Sequence, residues 1–323
     1  MLADACRRPR GKPTSTALVT RREACLYGLC LCCTPAPTAA AARGLREVAS
    51  GIFMRTGLHE EATPENRGGI ANVGCIVGRD GVLVTDACGS LADGEWLRAE
   101  IKKRTDKPIR YVLVTHVHPD HCFGTAAFAA DRPIIIGHRA LRAALEARGE
   151  FYRKHLAEIL GSDRAGSVVY PTVEVTDGME LNLGGRALRL IAHETAHTNC
   201  DLSMLDVETG LLFAADLLFV QRVPSLDGSL RGWLNEAEKL RRLRASRAVP
   251  GHGPVVVDFA PAMDNLTRYL TVLRNETRKA IAAGVSIADA GRTVAQSERA
   301  RWSLFDDYNE RNVIKAYKEL EWE

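Results

Sequence analysis

Three imidazoles and a carboxylate fall within six residues, His116-Val117-His118-Pro119-Asp120-His121, in a chain with only 9 histidines among 323 residues. Imidazole nitrogens and carboxylate oxygens are the ligands that zinc and related divalent ions take. His116 and His118 project together, and Asp120 and His121 point one step further along. This spacing supplies two adjacent ions rather than one. Pro119 fixes φ at a position that needs no backbone donor. Three further donors follow apolar runs: His197 in Ala196-His197-Thr198, Asp216 closing Leu212-Phe213-Ala214-Ala215, and His252 in Pro250-Gly251-His252-Gly253-Pro254. Each is weak alone, and a lone histidine is usually structural. Four such strand-end donor sets in one chain point to a shared metal site.

Donors far apart in sequence need strands to carry them to one sheet edge. Ala71–Val77 and Val82–Thr85, split by Arg79-Asp80-Gly81, predict a hairpin. Leu91 to Arg104 is patterned as an amphipathic helix, and Arg110–Thr115 as a short buried strand that runs straight into His116. Further strands are expected at Pro133–Gly137, Val173–Val175, Ala187–Ala192, Leu202–Val207 and Leu211–Ala215. Helical patterning dominates from Leu234, broken by a strand-like Arg247–Val249. Strand pairs interleaved with helices predict one α/β layered domain over residues 43–323, with helices on both faces and the C-terminal helices on the same core.

The composition, 46% hydrophobic and 26% charged, is that of a globular protein, and no apolar run approaches the roughly 20 residues of a membrane span. The net charge of +3 belongs to the first 42 residues, which carry +4 and leave −1 for the rest. Nothing in the body therefore argues for nucleic acid or anionic membrane. Within the leader, Arg21-Arg22 precedes an apolar core, Ala24–Cys33, and a small-residue tract, Thr38–Ala42. That order is the layout of a cleaved export signal, with paired arginines of the twin-arginine type. A disordered tail upstream of a later start is the alternative. Five cysteines lie in the leader and four, Cys75, Cys88, Cys122 and Cys200, in the body. Cys75 and Cys88 flank the hairpin, as a disulfide or as two buried thiols.

The ordered set HxHxDH, His-Thr, strand-end Asp and Gly-His-Gly resembles the signature of the metallo-β-lactamase superfamily over about residues 46–260. That resemblance implies a four-layer αββα sandwich with two Zn²⁺ ions. His116, His118 and His197 would hold one ion, Asp120, His121 and His252 the other, and Asp216 would bridge them. Asp86 matches the family's supporting aspartate, and Asp120 would orient a metal-bridging hydroxide for attack on a carbonyl. Asn66–Gly74, Asp86–Ser90, Pro108–Tyr111 and Leu226–Trp233 look like the SoxH-like branch, the zinc metallohydrolases of quinoprotein relay systems. The branch implies a periplasmic enzyme for a small thioester, lactone or ester-like substrate, with a quinoprotein dehydrogenase system as a partner. Cys88 and Cys200 depart from that branch, which has glycine at both places.

Asp216 stands where many metallo-β-lactamases carry cysteine, which leans away from β-lactam amide hydrolysis. An iron-dependent persulfide oxygenase is a rival that the second donor set disfavours. A non-catalytic dehydrogenase accessory is the other. Ser229 and Trp233, on a Gly-rich loop after Asp216, are candidates for the substrate pocket, with core packing as the alternative. His193 competes with His197, but the Thr198 that follows favours His197. No serine elbow, P-loop or Rossmann glycine pattern is present.

Overall fold

The computed structural model describes residues 44–323 except Arg244. The predicted leader and its five cysteines lie outside the described residues. Seven strands lie side by side in chain order: β1 (Arg46–Ala49), β2 (Ile52–Arg55), β3 (Val73–Val77), β4 (Val82–Thr85), β5 (Ile109–Leu113), β6 (Ile134–His138) and β7 (Val173–Val175). β1 to β4 are antiparallel neighbours. From β4 to β7 the pairing is parallel, with helices Leu91–Lys102, Pro119–Cys122 and Leu141–Leu160 among the connections. The second sheet holds β8 (Gly178–Asn182), β9 (Ala187–Ala192), β10 (Leu202–Asp206), β11 (Leu211–Phe219), β12 (Arg247–His252) and β13 (Val257–Asp258). Its one parallel pair, β11 with β12, is crossed over by helix Leu230–Arg241.

Alternation along the strands builds three cores. In β4, Leu83 packs with Ile52, Leu113, Leu190 and Phe213 between the two sheets, while Val82 and Val84 pack with Leu97, Ile101 and Leu145 of the first helical layer. In β11, Leu211 and Phe213 join the inter-sheet core, and Leu212 and Ala214 turn to Trp233, Leu266 and Val313 of the second helical layer. A period of two with both faces buried reads as a continuous apolar run and yields four layers, the expected αββα sandwich. Among the described residues no helix is long and apolar enough to cross a membrane.

Differences from the sequence reading are local. Helix Leu230–Arg241 starts four residues ahead of Leu234, because Ser229 caps it by accepting from the Gly232 N–H at 3.0 Å. Helix Leu141–Leu160 gave no sequence signal. It has no side-chain N-cap, and Gly149 interrupts its apolar face to admit Val168, whose Cγ2 would lie 2.7 Å from an added Cβ. The four body cysteines are free and buried, so Cys75 and Cys88 take the second of their two alternatives. Cys75 sits in register between Phe53 and Val84, whereas Cys88 lies beyond the end of β4.

Candidate metal centre

Parallel strands put their C-terminal ends at one edge, where α/β sheets bind ligands. β5 ends at Leu113, and the next residues cross to the second sheet, where the Leu202 N–H donates to the Thr115 carbonyl at 2.8 Å. His118 then precedes Pro119, the first residue of helix Pro119–Cys122. The His121 carbonyl accepts from the Ala87 N–H at 2.8 Å, which fixes the loop against the turn after β4. His197 lies between β9 and β10, Asp216 within β11, and His252 at the end of β12.

All seven predicted donors come together. His116, His118, His197 and Asp216 form one group and Asp120, His121 and His252 a second, with the donor atoms of each group within 4.8 Å of one another. Asp216 lies between them. Its Oδ2 is 3.2 Å from His197 Nε2, 3.6 Å from His116 Nε2 and 3.5 Å from His252 Nε2, and its Oδ1 is 3.1 Å from His121 Nε2. His252 Nε2 is 3.3 Å from Asp120 Oδ2, and His118 Nδ1 is 2.9 Å from His197 Nε2. Gly251 makes room for this packing, since a Cβ there would stand 1.8 Å from Asp216 Oδ1.

The ring nitrogens that face away from these groups are all engaged. His121 Nδ1 meets Asp86 Oδ2 at 2.8 Å, His197 Nδ1 the Ser225 carbonyl at 2.6 Å, and His252 Nδ1 the Ile70 carbonyl at 3.0 Å. His118 turns the other way, with Nε2 3.1 Å from Asp227 Oδ2 and Nδ1 inward. The Thr115 hydroxyl donates to Asp86 Oδ2 at 2.9 Å and so accepts from His116 Nδ1 at 3.1 Å. Acceptors on the outer nitrogens fix the tautomer of the neutral form of all five rings, the form a cation binds, with its lone pair pointing into the cluster. Asp86 thus bonds His121 directly and reaches His116 through the Thr115 hydroxyl, and it also accepts from the Thr115 N–H at 2.9 Å.

Three inward atoms, His116 Nε2, His121 Nε2 and Asp216 Oδ1, are buried and have no hydrogen-bond partner. Orphaned buried polar atoms are rare unless an ion or water completes them. Burial opposes the charge on His121, yet Asp216, Asp120 and Asp86 outweigh burial and push its pKa well above the usual imidazole range. Burial likewise disfavours the Asp216 carboxylate, but His121, His252 and His116 hold its pKa well below normal. His116, deepest among other imidazoles, is driven well down by burial and then by His121. Three carboxylates balanced only by imidazoles, with lone pairs converging, are a donor set that fits divalent cations.

A cavity of about 370 Å³ opens on the cluster, lined by His118, Asp120, Asp216 and His252 together with Tyr152, Leu156, Ile159, Phe219, Arg222 and Tyr308, among others. Ser229 and Trp233 are not among its lining residues, which corrects their reading as pocket residues. Ser229 is a helix cap that also donates to Glu319 Oε1 at 2.9 Å. Trp233, four residues on, faces the core. Its indole N–H donates to the Leu217 carbonyl at 3.2 Å, and its ring packs 5.1 Å from that of His197. His193 is remote from the cluster, bonded to Glu236 at 2.9 Å and Ser203 at 2.7 Å. Burial raises the Cys200 thiol to about 12, so it stays protonated and apolar.

Sequence reasoning assigned no role to Asp227, to Arg148, which pairs with Asp227, or to Asn72. Asn72 Nδ2 donates to the Pro250 and Gly253 carbonyls at 2.8 and 3.2 Å, and the Asn72 N–H donates to Gly251 at 2.8 Å. These bonds staple the His252 loop to the first sheet.

A family model described as the metallo-beta-lactamase superfamily matches residues 66–252, more than half of the chain. The chain belongs to the metallo-β-lactamase superfamily. Among curated superfamily relatives it is 22% identical over 214 residues to a linear primary-alkylsulfatase of Pseudomonas sp. (strain ATCC 19151), covering 55% of this chain and 40% of that one. It is 25% identical over 165 residues to the beta-lactamase-like protein 2 homolog of Caenorhabditis elegans, covering 51% and 49%. The chain thus spans half or less of the length of the curated relatives it matches. Of solved structures, a sec-alkylsulfatase, Pisa1 from Pseudomonas sp., superposes with a TM-score of 0.68 at 15% identity over 86% of this chain and 50% of its own. The metallo-beta-lactamase from Pontibacter korlensis gives 0.57 at 17% identity over 70% and 98%. At these identities the two structures share the metallo-β-lactamase fold with this chain.

Proposed function

We propose that this protein is a metal-dependent hydrolase with a dinuclear zinc centre, acting on a small ester-, thioester- or lactone-like substrate. The observation that carries the reading is the set of seven donors with Asp216 between two groups and every histidine pinned in the tautomer that turns a lone pair inward. His116, His118 and His197 would hold one ion, Asp120, His121 and His252 the other, with Asp216 shared. Such a pair supplies an acidified water near neutral pH and an electrophile for the developing oxyanion.

The chain's own residues do the rest. The carboxylate of Asp120 reaches the cavity and is kept ionised against its burial by the imidazoles of His121 and His252, so it can orient the attacking water and take its proton at Oδ. Asp86 and Asp227 hold His121 and His118 in place. The apolar side chains of Tyr152, Leu156 and Ile159 shelter the substrate from water.

An export leader over residues 1–42 and the SoxH-like segments Asn66–Gly74 and Leu226–Trp233 support a periplasmic setting beside a quinoprotein dehydrogenase system. A second reading, sulfate-ester hydrolysis, is favoured by the likeness to two alkylsulfatases. The intact Asp120, His121 and His252 group speaks against a single-iron oxygenase. Metal analysis of the purified chain with a panel of thioesters, lactones, a cephalosporin, an alkyl sulfate and a persulfide tests the proposal. Two zincs with carbonyl cleavage is the expected result. One iron with sulfite formation from a persulfide overturns it.

A further inference from the structure

The cavity has a cationic corner that the donor cluster does not use. Helix Phe305–Leu320 brings Tyr308 and Arg311 to the cavity wall, and Arg222 arrives three residues beyond β11. The guanidinium carbons of Arg222 and Arg311 lie 5.3 and 5.7 Å from the centroid of one ring, that of Tyr308. Like charges brought to one ring repel unless anions balance them.

Arg222 is buried and already committed. It donates to the Glu60 carbonyl and to Tyr308 Oη, both at 3.0 Å, and pairs with Glu61 at 3.5 Å. The Tyr308 hydroxyl is committed too, as it donates to Glu61. Arg311 is exposed, and among the described residues its guanidinium has no carboxylate partner; it lies over the Tyr308 ring. Glu61 is thus taken by Arg222 and Tyr308, and among the described residues Arg311 is left without an ion pair. The unspent donors of Arg311 open on the same space as Asp120 and His252, while Tyr152, Leu156 and Ile159 give that space an apolar wall.

We propose that Arg311 reads a carboxylate carried by the substrate, remote from the bond that is broken, with the substrate's apolar stem lying along helix Leu141–Leu160. The inference rests on the hydrolase reading of this cavity and narrows it to acid-bearing substrates. A planar guanidinium with free N–H groups accepts a carboxylate through two parallel hydrogen bonds, which gives direction as well as charge. Arg222 and Tyr308 are positioning residues: they hold the ring against which Arg311 is stacked.

The test compares the full-length, zinc-loaded protein with Arg311→Gln and Arg311→Lys on two substrates of matched reach, the 4-nitrophenyl monoester of adipic acid and neutral 4-nitrophenyl hexanoate. The ratio of the two kcat/KM values is the readout. Arg311→Gln is expected to lower that ratio about tenfold or more, chiefly through KM of the acid, and Arg311→Lys to recover part of it. A ratio within twofold of the native protein, or an equal fall on both substrates, overturns the inference. If the native protein cleaves neither ester, the carbonyl-hydrolase reading fails separately. Calorimetry then decides the corner, with adipate monomethyl ester against dimethyl adipate. Weaker binding of the acid to Arg311→Gln than to the native protein sustains the inference, and equal binding overturns it.

Discussion

Asp86 is the most economical place to perturb the cluster without touching a donor. Its carboxylate accepts from the Thr115 N–H, the Thr115 hydroxyl and His121 Nδ1, and it is buried. Asp86→Asn keeps the shape and replaces an acceptor by an N–H₂ group that can only donate. Whichever way the amide turns, one donor faces another. Facing His121, the amide forces the proton from Nδ1 onto Nε2, the atom 3.1 Å from Asp216 Oδ1, and removes the lone pair that pointed into the second group. One hydrogen bond to a charged acceptor is worth roughly 1.5–3 kcal/mol. At about 1.4 kcal/mol per factor of ten, that weakens ion binding at the Asp120, His121 and His252 group by about 10- to 100-fold. The first group should weaken less, because His116 is linked to Asp86 only through the Thr115 hydroxyl. Competition of the purified protein against a chromophoric zinc chelator gives both affinities, and circular dichroism checks the fold. A variant that binds two ions with native affinities refutes the claim that Asp86 sets the tautomer.

Asp120→Ala should lower turnover by about 10²-fold or more even at saturating zinc, measured on the best substrate of the panel; native turnover with both ions bound would dismiss its role with water. Chelation should cost stability, since an ion at a thousand times its Kd contributes about 4 kcal/mol, or about 7 °C of Tm for a domain of this size. Scanning calorimetry with and without EDTA reads this directly, and coincident transitions would mean no resident cation. Away from the site, Asp206 is buried and accepts from Arg186 Nε at 2.8 Å and Nη2 at 2.9 Å. Burial opposes its charge, but Arg186 and Thr209 hold its pKa below the usual value. Its stabilisation is therefore present above the ordinary Asp range, near 3.9, and lost as pH falls through the lowered native value. Asp206→Asn should cost about 3–5 kcal/mol near neutral pH and flatten the acid limb of a urea-midpoint profile; an acid limb as steep as that of the native protein would contradict this.

What could be read from residues alone follows from what is local in the chain. HxHxDH carries its chemistry in six consecutive positions, and each later donor closes an apolar run or sits in a Pro/Gly turn, so residue type and spacing suffice. Asp227 meets His118 across 109 residues, and no local pattern marks it. The cavity wall of Tyr152, Leu156 and Ile159 sits on a helix whose N-terminus lacks a capping side chain and whose apolar face is broken by Gly149, so its period is blurred. Ser229 and Trp233 show the converse error. Being near a Gly-rich loop after a donor says nothing about which side of helix Leu230–Arg241 faces inward, and there the helical layer's core claimed Trp233. Strand alternation with both faces buried was legible as apolar runs, but which run joins which sheet is decided only when the three cores close.

Neither half of the molecule owns a complete donor group. His116, His118, Asp120 and His121 come from the first sheet's connections, and His197, Asp216 and His252 from the second sheet. A cation held here acts as a rivet through both sheets, and the Asn72 bonds to the His252 loop clamp the same seam. During synthesis the nascent chain owns a finished pair of donor groups only after residue 252 has been added. A cation that needs both groups would therefore find its full set of donors only late in synthesis.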